Sequence, residues 1–227
     1  KATSVTVTTS SEAADVMDIN AAEAETVSIT SGGVGNHTRS DFAGAKVVTV
    51  DSTKLSTTGN LVALKTATLS GDASTSAVTL GNLGAATLAY DVDVTATGLK
   101  AGVILGTVQT AGAATIDFSG ATGANTVGAI TTTGATTVKA GAGATTVGKI
   151  DASAVTLDLT ASATSNTFTG GVDIVSGSTV NITSNAIVAT DIDIDADKTS
   201  LTVTATGSLG DDTIDITNSN DADDFTG

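Results

Sequence analysis

One short unit recurs along most of the chain: Thr followed by a larger apolar residue. It occurs at Thr115-Ile116, Thr126-Val127, Thr137-Val138, Thr146-Val147, Thr156-Leu157, Thr167-Phe168 and Thr179-Val180. Earlier members are Thr49-Val50, Thr68-Leu69, Thr79-Leu80, Thr87-Leu88 and Thr107-Val108. Later ones are Thr202-Val203 and Thr213-Ile214, and Phe225 follows Ile214 at the same interval. Through the middle of the chain the unit returns about every ten or eleven residues. A near-constant internal period constrains a fold more than any single motif, because every unit must be packed the same way.

Within a unit the apolar residues alternate, as in Val155-Thr156-Leu157-Asp158-Leu159, so Val155, Leu157 and Leu159 share one face of a strand. Gly, Asn or Asp then interrupts the pattern. Strands of about 4–6 residues, joined by turns of similar length, are expected. Helical periodicity is weak throughout. Its best candidate is a short turn between Ser11 and Glu25, where Ala and Glu cluster. The chain is therefore read as all-β, with about 10–11 residues per strand unit, and two architectures fit. In a β-solenoid, two or three strands make a rung and rungs stack about 4.8 Å apart, with Val ladders inside and Thr ladders outside. In the alternative β-sandwich the same strands would run antiparallel. The uniformity of the units favours the solenoid, because a sandwich needs inward residues of varied size.

Composition supports thin, regular layers. The chain holds 227 residues with 4 Phe, 1 Tyr, no Trp and no Pro, and 25 Gly. Small and β-branched side chains must do the packing. Cysteine is absent, which removes disulfides, thiolate catalysis and cysteine-ligated zinc. The formal charge of −15, from 24 acidic and 9 basic residues, argues against nucleic acid and against an anionic membrane surface. No stretch is apolar for long enough to span a bilayer as a helix. Nearly all the acids are Asp, the exceptions being Glu12, Glu23 and Glu25, which places negative charge in turns and invites cations.

The C-terminal stretch carries the most specific chemistry. Gly207-Ser208-Leu209-Gly210-Asp211-Asp212-Thr213-Ile214 resembles the calcium-binding nonapeptide of repeats-in-toxin (RTX) proteins, G-G-x-G-x-D-x-U-x. Gly207, Gly210, Asp212 and Ile214 match, and Ser208 departs from the second Gly. Glycine permits the tight turn, Asp212 offers a hard oxygen ligand, and Ile214 anchors the next strand. A degenerate second copy from Asn218 to Phe225 adds Asp221, Asp223 and Asp224 as candidate calcium ligands, with Asp223 in the ligand position. The interval from Asp212 to Asp223 is that of the Thr–apolar unit and exceeds the nonapeptide period. Ser165-Asn166-Thr167-Phe168-Thr169-Gly170-Gly171 is an isolated relative with Asn166 in the ligand place, more simply a turn.

Other features read as plain structure. Asp191, Asp193, Asp195 and Asp197 alternate with Ile192, Ile194 and Ala196, which sets four carboxylates on one strand face, best read as a solvated outer face. The run lacks the Gly and Glu that an EF-hand needs. His37 is the only histidine and reads as a surface loop residue. Asn36-His37-Thr38 and Asn181-Ile182-Thr183 match the glycosylation sequon, as chance allows in a Thr-rich chain. No spacing singles out an acid–base pair, and aromatics to line a sugar-cleaving cleft are lacking, so the chain is not read as an enzyme.

Three segments carry a family resemblance. Glu25-Thr26-Val27-Ser28-Ile29-Thr30 resembles the recurrent E-T-V-x-I strand of bacterial surface-layer (S-layer) proteins exported with RTX motifs, of the Caulobacter kind. Ile150-Asp151-Ala152-Ser153-Ala154-Val155 resembles their D-A-S-A-V/L segment, and Gly210-Asp211-Asp212-Thr213-Ile214 their calcium motif. The resemblance implies a secreted, calcium-dependent subunit that self-associates into a lattice or homopolymer on a bacterial cell surface. Type I export through a C-terminal signal is implied with it, and cell-surface polysaccharide is a further partner. We read the chain as a piece of a longer protein, with a repetitive β-solenoid-like region over 1–200 and the start of an RTX-like segment over 201–227. The competing reading is the stalk or ligand-binding region of an RTX-type adhesin. A flat face of Thr ladders would also suit ice. That variant needs Thr-x-Thr in successive rungs, whereas Thr6-Val7-Thr8, Thr131-Thr132-Thr133 and Thr202-Val203-Thr204 are scattered along the chain.

Overall fold

The computed structural model describes residues 3–9, 15–16, 18–31, 35–37, 41–52, 56–71, 77–162, 166–183, 190–196, 202–206 and 213–217. Every strand pairing among them is parallel, and no helix occurs among the described residues. The chain winds as a three-sided β-solenoid, and the antiparallel sandwich is excluded. Within the Ser11–Glu25 stretch, where Ala and Glu hinted at a helical turn, Asp15–Val16 is a short strand instead.

The first face is the longest. It is built from Ser4–Thr9, Thr26–Ser31, Val47–Ser52, Thr66–Ser70, Val92–Thr97, Ala114–Gly120 and Ala135–Lys139. The later halves of Ile150–Asp158 and Val172–Thr183, and then Thr202–Thr206, complete it. Ten strands at about 4.8 Å per step make a stack about 43 Å long. The second face uses three-residue strands, among them Val78–Leu80, Val103–Leu105, Asn125–Val127, Thr145–Val147 and Asn166–Phe168. The third runs through Leu83–Ala85, Val108–Thr110, Ile130–Thr132 and the opening residues of Ile150–Asp158 and Val172–Thr183. Thr190–Ala196 and Thr213–Thr217 pair with each other across the second and third faces.

From Thr115 to Thr179 alternate Thr–apolar units fall on alternate faces. Thr115-Ile116, Thr137-Val138 and Thr156-Leu157 stack on the first, while Thr126-Val127, Thr146-Val147 and Thr167-Phe168 stack on the second. The recurring unit is therefore half a coil. Coils differ in length. An ordinary one carries the chain from Ile116 to Val138, a shorter one from Val48 to Ala67, and a longer one from Ala67 to Val94.

Alternation along each strand sends every second residue inward, and in-register stacking turns these into continuous columns. On the first face Val27, Val48, Ala67, Val94, Ile116, Val138, Leu157 and Ile182 form one buried column. Leu80, Leu105, Val127, Val147 and Phe168 do the same on the second, and Leu61, Leu83, Val108, Ile130, Ile150 and Val172 on the third. Burying side chains of this size stabilises by about 1.5–3 kcal/mol each.

Two local devices close the coils. Asp117, inside the strand Ala114–Gly120, and Asp158, at the end of Ile150–Asp158, form Asx turns on the first face. Asp117 Oδ1 accepts from the Ser119 N–H (2.9 Å) and Oγ (2.5 Å), and Asp158 Oδ1 from the Thr160 N–H (3.2 Å) and Oγ1 (2.6 Å). The corner between the second and third faces is very short and opens on glycine, at Gly81-Asn82, Gly106-Thr107, Gly128-Ala129 and Gly148-Lys149. These glycines stack. A Cβ on Gly81 would sit 2.6 Å from the carbonyl oxygen of Gly59, and one on Gly148 would sit 2.8 Å from the carbonyl carbon of Gly128. Only a residue without a side chain lets successive backbones approach so closely.

Candidate functional surfaces

The described residues offer chemistry in three places, two on the outside and one within. The first is an acidic column on the outer side of the third face. Gln109, Thr131, Asp151 and Asp173 stack in register, and Asp195 follows directly on Asp173. Asp151 and Asp173 stand one strand spacing apart, about 4.8 Å. Lys149, the second residue of a glycine corner, reaches over both, with Nζ 2.9 Å from Asp151 Oδ1 and 2.9 Å from Asp173 Oδ2. The carboxylates of Asp173 and then Asp151 hold the Lys149 ammonium well above the usual lysine range. After Asp195 the column passes to Thr217, while Asp193 pairs with Asp215 as a separate acidic step on the same two strands.

The second is the outer side of the first face. From Ser4 to Thr97 it bears mostly Ser and Thr. Further along the same face charge replaces them, at Asp117, Lys139 and Asp158 in successive strands. Lys139 Nζ lies 3.1 Å from Asp117 Oδ2. Burial pushes the Asp117 carboxyl up, but the Ser119 hydroxyl and N–H and the Lys139 ammonium outweigh it and leave it below the ordinary range. At the near end Lys46 Nζ and Glu25 Oε1 pair at 2.6 Å, which lowers the exposed Glu25.

The third is internal. The inner column of the second face starts apolar at Val78 and Val103 and turns polar at Asn125, Thr145 and Asn166, all buried. Asn125 Oδ1 accepts the Val103 N–H at 3.1 Å, while its Nδ2 donates to the Gly123 carbonyl at 3.1 Å. Asn166 Oδ1 accepts the Thr145 N–H at 3.2 Å and the Ser162 hydroxyl at 3.2 Å. Each Asn side chain thus caps the backbone of the preceding coil, a use of Asn that its buried setting demands. Asn166 is fixed inside the stack by these bonds, so its place in a Ser-Asn-Thr-Phe turn motif reflects an inward structural role.

The candidate calcium ligands Gly207, Gly210, Asp212, Asp221, Asp223 and Asp224 lie outside the described residues, as does Asp197. Ile214, the proposed anchor of the calcium motif, lies in the strand Thr213–Thr217 in register with Ile192. Asp191, Asp193 and Asp195 share one strand, as the alternation predicts, but their neighbours differ: Asp191 stacks on Thr167, Asp193 on Asp215 and Asp195 on Asp173. His37 ends the strand Gly35–His37 and is not in a loop. Asn181 sits exposed in the strand Val172–Thr183. Among the described residues no group of three or more His, Asp or Glu converges as a metal site. Nor is any helix there long and apolar enough to cross a membrane.

The acidic column was missed in the sequence because Asp151, Asp173 and Asp195 are a coil apart, and the coil length is visible only once strands are assigned to faces. Comparison with protein-family models, with curated proteins and with solved structures returns no match.

Proposed function

We propose that the chain is a structural subunit of an extracellular, self-assembling surface layer or filament on a bacterial cell, stabilised by calcium, and that it is not an enzyme. The acidic column carries this reading. Asp151 and Asp173 stack with a single lysine between them, and Asp195 continues the register. Carboxylates repeated at one strand spacing repel unless a cation bridges them; Lys149 does so for Asp151 and Asp173, and a hard divalent cation such as calcium would serve acids beyond its reach. The RTX-like residues at 207–224 would extend the same chemistry into turns. A stiff parallel stack with flat faces supplies the lateral surfaces that an assembly needs. Electron microscopy and light scattering of the purified chain, with calcium and after chelation, test the proposal. Sheets or fibres that dissolve on chelation are expected. Dispersed rods in both conditions would turn the reading toward an adhesin stalk.

A further inference from the structure

The first five strands of the first face present a regular outward array. In Ser4–Thr9, Thr26–Ser31, Val47–Ser52, Thr66–Ser70 and Val92–Thr97 the outward residues form three ranks. One rank is Ser4, Thr26, Val47, Thr66 and Asp93. The central rank is Thr6, Ser28, Thr49, Thr68 and Thr95. The outer rank is Thr8, Thr30, Asp51 and Ser70, with Thr97 on the next strand just beyond Thr95. All but Val47, Asp51 and Asp93 bear a hydroxyl, and every position is exposed or half-exposed. Pairing over these strands runs without a register shift. Thr-x-Thr and its Ser variants therefore occur in four of these five coils, at Thr6-Val7-Thr8, Ser28-Ile29-Thr30, Thr68-Leu69-Ser70 and Thr95-Ala96-Thr97, with Thr49-Val50-Asp51 interrupting them in the third. The unequal coil lengths hide this in the sequence.

We propose that this array binds an ordered water lattice, the surface of ice. Its spacings are fixed by the fold: about 4.8 Å between coils and about 6.6–7 Å between ranks along a strand. Thr is stiff at χ1, so its hydroxyl and methyl are held in place before any partner arrives. Ser70 Oγ and Thr97 Oγ1 donate to the carbonyls of Val50 and Leu69 on the coil before, each at 3.4 Å, which ties them to the stack. A two-dimensional array is matched in full only by a partner with its own two-dimensional repeat. Other partners lack their usual handles here. No aromatic ring lies in the array for a sugar to stack on, and Tyr90 is engaged at a corner by the Ala63 carbonyl (2.6 Å) and Lys65. Its one apolar outward residue, Val47, gives a protein partner no anchor. Phosphate-bearing partners are repelled by the net charge of −15.

The proposal stands apart from the assembly reading. Its test is thermal hysteresis and inhibition of ice recrystallisation by the purified chain. Measurable activity is expected. Thr68→Tyr, at the centre of the array, should abolish it, whereas Thr146→Tyr on the second face should leave it intact, with circular dichroism confirming the fold of both. Replacing the two charges, as Asp51→Thr with Asp93→Thr, should raise activity. An inactive parent whose charge-free variant is also inactive overturns the proposal, as does a Thr68→Tyr variant that keeps full activity. Binding to insoluble chitin or cellulose that is lost in Thr68→Tyr, without any effect on ice, would assign the array to a glycan and refute it.

Discussion

Lys149→Met removes the one cation between Asp151 and Asp173 and keeps the length of the side chain. The lysine makes two ion pairs at 2.9 Å, with itself about half exposed and its partners at 28% and 23%. Pairs so exposed contribute about 0.2–1 kcal/mol each. The larger effect is what the lysine hides. Two carboxylates about 4.8 Å apart repel by about 3.5 kcal/mol at an effective dielectric of about 20, and by about 1 kcal/mol in bulk water. Partial exposure lets them turn apart, so the variant should lose about 1–2 kcal/mol at low ionic strength. The assay is the urea midpoint as a function of salt. Salt weakens the attraction in the parent and relieves the repulsion in the variant, so the two midpoints should converge as ionic strength rises. Calcium should restore the variant at concentrations where sodium does not, because a divalent ion can bridge both carboxylates. If parent and variant respond to salt with the same slope, the stacked aspartates do not interact and the reasoning fails.

Three further outcomes follow from the same geometry. Ile116→Ala, fully buried between Val94 and Val138, should cost about 2–5 kcal/mol, while Thr115→Ala on the outer side should change stability by less than about 0.5 kcal/mol; urea melts read both. Gly148→Val should cost at least about 1–3 kcal/mol and raise amide exchange in the flanking coils, because its Cβ meets the Gly128 backbone. The pH profile has two limbs. Lys149 titrates above its unfolded value of about 10.4, so its contribution is complete below that pH and is lost as pH rises through the raised folded value. Asp117 titrates below its unfolded value of about 3.9, so its contribution is present above that pH and is lost as pH falls through the lowered folded value. Asp117→Asn should flatten the acid limb of the urea midpoint and leave the alkaline limb unchanged.

The Thr–apolar unit made the strands legible because in-register stacking forces like residues onto like. Ile116 over Val138 over Leu157 is the same choice made three times. What it concealed was the third face. Strands such as Val108–Thr110 and Ile130–Thr132 are very short, and of these only the first opens on a Thr–apolar pair, Thr107-Val108. Their signal was the Gly-x-apolar corner at Gly106-Thr107-Val108, Gly128-Ala129-Ile130 and Gly148-Lys149-Ile150, which resembles an ordinary turn until the glycines are seen to stack. The acidic column and the hydroxyl array were hidden for a related reason. The hydroxyl array is a property of register between coils of unequal length, which a linear scan at fixed period cannot align, whereas the acidic column recurs evenly but at the full coil and not at the half-coil interval of the Thr–apolar unit. Asn166 misled in another way: in sequence it looks like a turn residue, yet its side chain, like that of Asn125, points inward to satisfy a backbone group of the preceding coil.

The uniform parallel pairing also sets how the molecule bears load. Inter-strand hydrogen bonds run along the axis of the stack, so tension applied from end to end pulls them open coil by coil and not all at once. Each coil of about 22 residues that peels away releases roughly 75 Å of extended chain from about 4.8 Å of rod. Such a rod would yield by lengthening under strain, and the coils still stacked would keep their faces intact.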